Sequence, residues 1–261
     1  MEKLNDDTIV DAIIDNPYFQ NVVSEFIVIF IIIIVGLAIY RISGRRRLLD
    51  FFNVKHSRTI CLYLSNLSIP PGGSFGIDGV PRSYLGPAIP LYEVHLVPGF
   101  QRLFNLLIPG VETLPGFLKN LLWSDVEINV LASPENQNEI NRHTTIITVG
   151  SPGYNRASQY VETTLNAPAR FVNDNKALQL GNAPPVTDSN CGFVQKAVDQ
   201  TAGQIAFYIA GPSIMATTGA AFYLAKNWKQ LSRRYPKHRP FCIMLRITSQ
   251  DAKQHEILYE R

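Results

Sequence analysis

Cysteine is scarce in this chain, and the three that occur, Cys61, Cys191 and Cys242, form no CxxC pair and no disulfide framework. That excludes a small disulfide-stapled scaffold and fits thiols kept reduced, with Cys61 and Cys242 in apolar runs as expected core residues. Histidine is equally thin: His56, His95, His143, His238 and His255 show no ligand-like spacing with one another or with cysteine, so no metal site is expected. The chain has no P-loop lysine motif and no GxGxxG, and Ser151 does not sit in a Gly-x-Ser-x-Gly elbow. No cofactor is implied, and there is no internal repeat or low-complexity tract. Charged side chains make up only 17% of the 261 residues against 46% apolar ones. That is enough core for one good-sized domain with an appendage, and too much for a disordered chain.

Bases are nearly missing from one region. Ahead of residue 26 stand six acids (Glu2, Asp6, Asp7, Asp11, Asp15, Glu25) and a single base, Lys3, so the head carries about −5 and the rest about +8. The division falls at Phe26–Tyr40, an uncharged, isoleucine-rich run followed by Arg41, Arg45, Arg46 and Arg47. Apolar content, the interfacial Tyr40 and the basic flank predict a transmembrane helix over 26–42, with the lipid bilayer as a partner. A cleaved signal peptide wants a positive start and small residues at the cut, which this head lacks. Basic residues are retained on the cytoplasmic side. The expectation is therefore a single-span inner-membrane protein with its acidic head (1–25) outside and its C-terminal domain in the cytoplasm. In that orientation the sequon Asn66-Leu67-Ser68 is an accident of composition.

Beyond a basic linker (43–57), the apolar runs Thr59–Leu64, Val126–Leu131, Thr144–Val149, Gln204–Ala210 and Phe241–Ile247 read as strands buried on both faces. Asn155–Leu165 and Thr218–Arg234 are helical candidates between them. The alternation predicts an α/β domain over 58–250, a Rossmann-like three-layer sandwich, with a tail at 251–261. Phe193–Val198 is joined to the next strand by Asp199-Gln-Thr-Ala-Gly203, too short for a crossover helix, so one antiparallel hairpin is expected in a mainly parallel sheet. Ile69–Pro90 reads as a long ordered loop, and Leu91–Val97 and Phe100–Ile108 as two short helices. Asn173–Asn190 reads as a polar, mobile loop, and the apolar Phe117–Trp123 as core by default.

Two strand-loop-helix sequences carry the functional signal. Thr148-Val149-Gly150-Ser151-Pro152-Gly153-Tyr154-Asn155-Arg156 follows a strand and opens a helix. Glycines permit close backbone approach, first-turn amides favour an anion, and Arg156 offers a fixed positive fork. The second is Ala210-Gly211-Pro212-Ser213-Ile214-Met215-Ala216-Thr217-Thr218-Gly219, with Thr217 or Thr218 as the expected cap. Both would face the carboxyl edge of one sheet, where open α/β sheets bind ligands. The expected ligand-binding set is Gly150, Ser151, Gly153, Asn155, Arg156, Gly211, Thr217, Thr218 and Gly219, for a phosphate-bearing, nucleotide-like small molecule.

The Gly-Ser-Pro-Gly-Tyr-Asn turn after a buried strand, with the later Ala-Gly-x-x-x-x-x-Thr-Thr-Gly-Ala-Ala helix start, resembles the Rossmann-type nucleotide-sensing domains of bacteria. That broad group includes the SLOG and TIR-like modules of conflict and signalling systems. The resemblance covers residues 58–247 and implies a sensor or effector domain. Members that cleave nucleotides use a carboxylate near a Gly-Thr helix start; here that helix reads Gly219-Ala220-Ala221-Phe222, without an acid, which favours sensing over catalysis.

An enzyme would need its carboxylate elsewhere, and Glu93 and Glu162 are the candidates, for a nucleoside- or NAD-processing glycosidase or transferase. Asp78 reads as a turn residue. A third alternative is a structural or interaction protein in which both glycine loops are only turns. Homo-oligomer formation is left open. The basic run Lys226, Lys229, Arg233, Arg234, Lys237 and Arg239 reads as a dipole-matched, solvated helix end, so nucleic acid is not expected as a partner.

Overall fold

Alternate residues of one strand serve two different cores, which is why the strands read as continuous apolar runs. In β1 (Thr59–Leu64), Ile60, Leu62 and Leu64 enter one hydrophobic cluster while Cys61 and Tyr63 enter another. The period of two puts successive side chains on opposite faces, so a sheet covered on both sides needs apolar residues throughout. The structure, a computed structural model, describes residues 26, 29–30, 32, 36, 43–54, 58–67, 89–104, 126–140, 145–199, 202–249 and 254–261. The chain divides after Arg45 into two units, and the sheet with its covering helices belongs to the second, Arg46–Arg261.

The remaining strands are β2 (Glu127–Ala132), β3 (Thr145–Val149), β4 (Ala169–Val172), β5 (Ala177–Leu180), β6 (Cys191–Val198), β7 (Ile205–Ala210), β8 (Phe241–Ile247) and β9 (His255–Glu260). Seven of them form one sheet in the order β2-β1-β3-β7-β6-β8-β9. The first four run parallel; β6 pairs antiparallel with both β7 and β8, and β9 antiparallel with β8. This is a mixed α/β fold with a parallel centre and an antiparallel hairpin, as the short Asp199–Gly203 turn requires.

Between the strands run the helices α1 (Leu91–Val94), α2 (Val97–Phe104), α3 (Arg156–Thr163) and α4 (Ile214–Arg234). α2 and α4 cover one face of the sheet, joined by Leu48, Phe51, Phe52 and Val54. α3 and the β4–β5 hairpin cover the other. Phe207 lies at the centre of the first face, its ring 4.5 Å from that of Phe52 and 5.2 Å from that of Phe51. Lys196, fully buried on the same face, donates to the carbonyls of Tyr235 and Pro236 at the end of α4, with its ammonium over the ring of Phe51.

Several expectations need correction. No helix among the described residues is long and apolar enough to cross a membrane. The uninterrupted apolar run is 15 residues. The single-pass inner-membrane placement, with the head outside and the domain cytoplasmic, falls with that finding. Within 26–42 only residues 26, 29, 30, 32 and 36 are described; the remainder of the expected span, like the loop at 68–88 and the run Phe117–Trp123, lies outside the described residues.

The expected linker is part of the fold, since Phe51 and Phe52 are core residues. The expected tail supplies the edge strand β9. The expected mobile loop at Asn173–Asn190 includes β5, and Val186 bridges back to Leu178. Asn173, Asp174 and Asn175 make the intervening turn with φ between 54° and 66°, a region that short polar side chains tolerate best. α4 begins at Ile214 with Ser213 as its cap, four residues ahead of the expected start, so Thr217, Thr218 and Gly219 are inside the helix.

Candidate functional site

The chain leaves β1 and β3 in opposite directions. After β1 it enters α1 and α2 on one face and returns as β2; after β3 it enters α3 on the other face and continues toward β6. Adjacent parallel strands whose connections part in this way form a switch point, and the crevice outside their carboxyl ends is where open α/β sheets take ligands. Ser65 and Asn66 end β1 there, Ser133 ends β2, and Gly150 and Ser151 end β3.

Glu93 occupies this position. The four-residue α1, with Pro90 at its N-cap, turns the Glu93 side chain onto the end of β1, where Oε2 accepts from the Ser65 amide (2.6 Å) and Oε1 from the Ser65 hydroxyl (2.7 Å). Tyr92 Oη adds a third bond to Oε1 at 3.1 Å. Glu93 is fully buried. Burial pushes its proton affinity up to about 7, against the opposing pull of the Ser65 and Tyr92 hydrogen bonds. Gly150, at φ 97°, closes the other side: a Cβ there would fall on the Ser65 hydroxyl and 2.7 Å from Glu93 Oε1. Only glycine combines that backbone angle with that approach.

The loop after β3 is held by its own side chains. Asn155 caps α3, its Oδ1 accepting from the amides of Ala157 and Ser158, while its Nδ2 donates to the carbonyls of Tyr63 and Val149. Ser133 Oγ accepts from the Arg156 amide at 2.6 Å. Asn66 ties the three strand ends together through the Tyr154 carbonyl and the Ser133 carbonyl. Ser158 Oγ donates to the Gly150 carbonyl. The first-turn amides of α3, expected to receive an anion, are therefore occupied by Ser133 and Asn155. The Arg156 guanidinium, half-buried and bonded to Gln159, remains as the positive group at this edge. Ser151 and Gly153 are half-exposed beside it, whereas Gly150 and Asn155 serve as braces.

The second loop is also filled from within. Ser213 caps α4 by accepting from the Ala216 amide and donates to the Ser189 carbonyl, and Thr217 donates to the Gly211 carbonyl. A Cβ on Gly211 would fall 2.5 Å from Ala216 Cβ, and one on Gly192 2.5 Å from the Ala216 carbonyl oxygen. These glycines let α4 lie close on β6 and β7. Gly219 is buried within α4 and Thr218 is half-buried.

Glu162 does not reach the crevice. Its Oε1 accepts from Tyr208 Oη (2.8 Å) and the Phe171 amide (3.0 Å), which fastens α3 and the β4–β5 hairpin to β7. Burial pushes its carboxyl up to about 7 as well. Of the two carboxylates singled out from the sequence, Glu93 is at the strand ends and Glu162 is a brace on one face. Ser65, Asn66, Ser133 and Tyr92 join the site although sequence reasoning does not single them out; a Ser or Asn directly after the buried β1 and after the edge strand β2 is the available signal.

Fold and site together define an α/β unit with a buried polar cluster at a sheet switch point. No protein-family model matches this chain, and neither a curated protein nor a solved structure does.

Proposed function

We propose that Arg46–Arg261 is a Rossmann-like unit that binds a nucleotide-derived, phosphate-bearing small molecule in the crevice between β1 and β3, as a sensor or effector of a signalling or defence system. The observation that carries this reading is the convergence of Ser65, Asn66, Glu93, Ser133 and Gly150 where the chain switches direction. Arg156 is the group assigned to the phosphate, by its side chain and not by the amides of α3. Ser151 and Gly153, half-exposed on the same loop, complete the contact surface.

The test is thermal denaturation of the full chain against a nucleotide panel. A ligand at about 100 times its Kd stabilises by about 2.7 kcal/mol. For a unit of this size that is a rise of roughly 5–10 °C. Arg156→Glu is expected to abolish the rise without lowering the unliganded midpoint by more than about a degree, since Arg156 is an edge residue. If no member of the panel shifts the midpoint, or if Arg156→Glu keeps the shift, the reading fails.

A second reading, a nucleoside- or NAD-processing glycosidase or transferase, is favoured by one feature. A carboxyl whose proton affinity is near 7 is matched to general acid-base work at neutral pH, and Glu93 has that character at the strand ends. This reading requires turnover of NAD or nucleosides by the full chain, and loss of that turnover in Glu93→Gln.

A further inference from the structure

One face of the sheet is covered by the helical residues 46–51 with α1, α2 and α4, and the outer side of that layer carries charge of one sign. Arg46, Arg47, Arg102, Lys226, Lys229 and Arg233 are exposed there and enter no ion pair among the described residues. Arg234 pairs with Glu260. The acids of these elements are Asp50, half-buried, and Glu93, buried. The opposite layer, α3 with the β4–β5 hairpin and the turn before β3, mixes both signs as a solvated surface ordinarily does, with Glu139, Asp174, Arg170 and Lys176 all exposed.

Large apolar side chains stand out of the same basic layer. Leu91 and Val94 on α1 are 72% and 43% exposed, and Ile214 and Phe222 on α4 are 58% and 43% exposed. Phe222, Lys226, Lys229 and Arg233 follow one another at helical spacing. They form a single stripe on the side of α4 opposite the buried Ala220, Leu224 and Leu231. A shallow apolar groove lined by His95, Gly99, Phe222 and Ala225 joins that stripe to α1 and α2. The apolar groups and the cations therefore share one continuous surface.

We infer that this layer is a docking surface for an anionic lipid bilayer. Such a partner has negative charge at its surface and hydrocarbon just beneath, so it satisfies cations and protruding apolar side chains together. A nucleic acid would meet the cations and leave Leu91, Val94 and Phe222 with nothing to enter. A second copy of this layer would bring like charges face to face. The cations are spread over three elements and the apolar side chains protrude between them, which a plane of headgroups engages at once and a peptide lying in one groove does not. The inference asks for contact with a bilayer surface and for no span. It is also independent of the ligand proposed between β1 and β3, since Glu93 turns into that crevice from the other side of α1.

The experiment places an environment-sensitive fluorophore on Phe222→Cys in the full chain; the three native thiols are buried and stay unlabelled. Vesicles containing phosphatidylserine should shift its emission to the blue, and vesicles of phosphatidylcholine alone should not. The same label on Glu139→Cys, in the opposite layer, should stay unchanged. Each cation near an anionic surface is worth about fivefold in affinity. Lys226→Gln/Lys229→Gln/Arg233→Gln, read through the label at position 222, should therefore weaken vesicle binding about a hundredfold while keeping the thermal midpoint, which shows that it is folded. Polyglutamate and duplex DNA are the competing probes. The proposal is overturned if the label at position 222 stays in water on phosphatidylserine vesicles, whether or not polyglutamate or DNA binds. It is equally overturned if phosphatidylcholine alone shifts the label as much, or if the triple variant binds as well as the native chain.

Discussion

The folded chain is expected to be least stable near pH 7 and to gain stability toward acid and, up to about pH 9, toward alkali, beyond which the buried thiols of Cys191 and Cys242, pushed up to about 11 and about 12, oppose the gain. Three groups buried away from water are responsible. Glu93 and Glu162 are each pushed up to about 7 from an ordinary 4.5, so between those values the folded chain holds up to two more protons than the unfolded one. Stability that is fully present below pH 4.5 is therefore lost as pH rises through 7, with a slope of at most about 3 kcal/mol per pH unit. Lys196 is pushed the other way, down to about 7 from 10.5, by burial among Phe51, Phe241 and the end of α4. Its contribution is present above pH 10.5 and lost as pH falls through 7, at up to about 1.4 kcal/mol per unit.

Urea denaturation at acid, neutral and alkaline pH measures both limbs. Glu162→Gln is the clean probe of the acid limb, because both of its hydrogen bonds fall on Oε1, which the amide retains; it should remove about half of that slope. Glu93 engages both of its oxygens, so its amide cannot keep every bond. Lys196→Met should flatten the alkaline limb. A stability maximum at neutral pH in the native chain would show that these three groups are not held as described.

Phe207→Ala should cost about 3–5 kcal/mol, a large part of the stability of a domain this size. Phe207 is fully buried, and its ring meets those of Phe51, Phe52 and Phe241. Those partners come from the stretch expected as a linker and from β8, so a small side chain here leaves a void that neither α2 nor the sheet can close. The measurement is the shift of the urea midpoint at constant slope. A loss under about 1 kcal/mol would mean that residues 46–54 are not packed on this face.

The strands are legible in the sequence because a sheet buried on both faces writes itself as uninterrupted apolar runs: Thr59–Leu64 and Phe241–Ile247 coincide with β1 and β8 to the residue. The β4–β5 hairpin is not, because its strands are four residues long around a polar turn. It is held by distant side chains, Gln195 on the Ala169 amide and carbonyl and Glu162 on the Phe171 amide. Capping likewise decides what the α3 amides do: Asn155 is visible as a helix start, but Ser133, 23 residues before Arg156, is not visible as the acceptor of the Arg156 amide. In the crevice, Gly150 and Glu93 can each be singled out from local context. That Ser65 joins them is a fact of topology, since it precedes Glu93 by 28 residues and Gly150 follows from a different strand.

The far edge of the sheet depends on very little chain. β8 is buried at six of its seven positions, and what covers its outer row of amides is β9, six residues long, fastened at its end by reciprocal bonds between Arg261 and Cys242. A protease that trims those residues would leave the core nearly intact and lay bare an apolar template ready to accept a strand from another molecule. Damage at this end of the protein would thus be read as aggregation, not as unfolding.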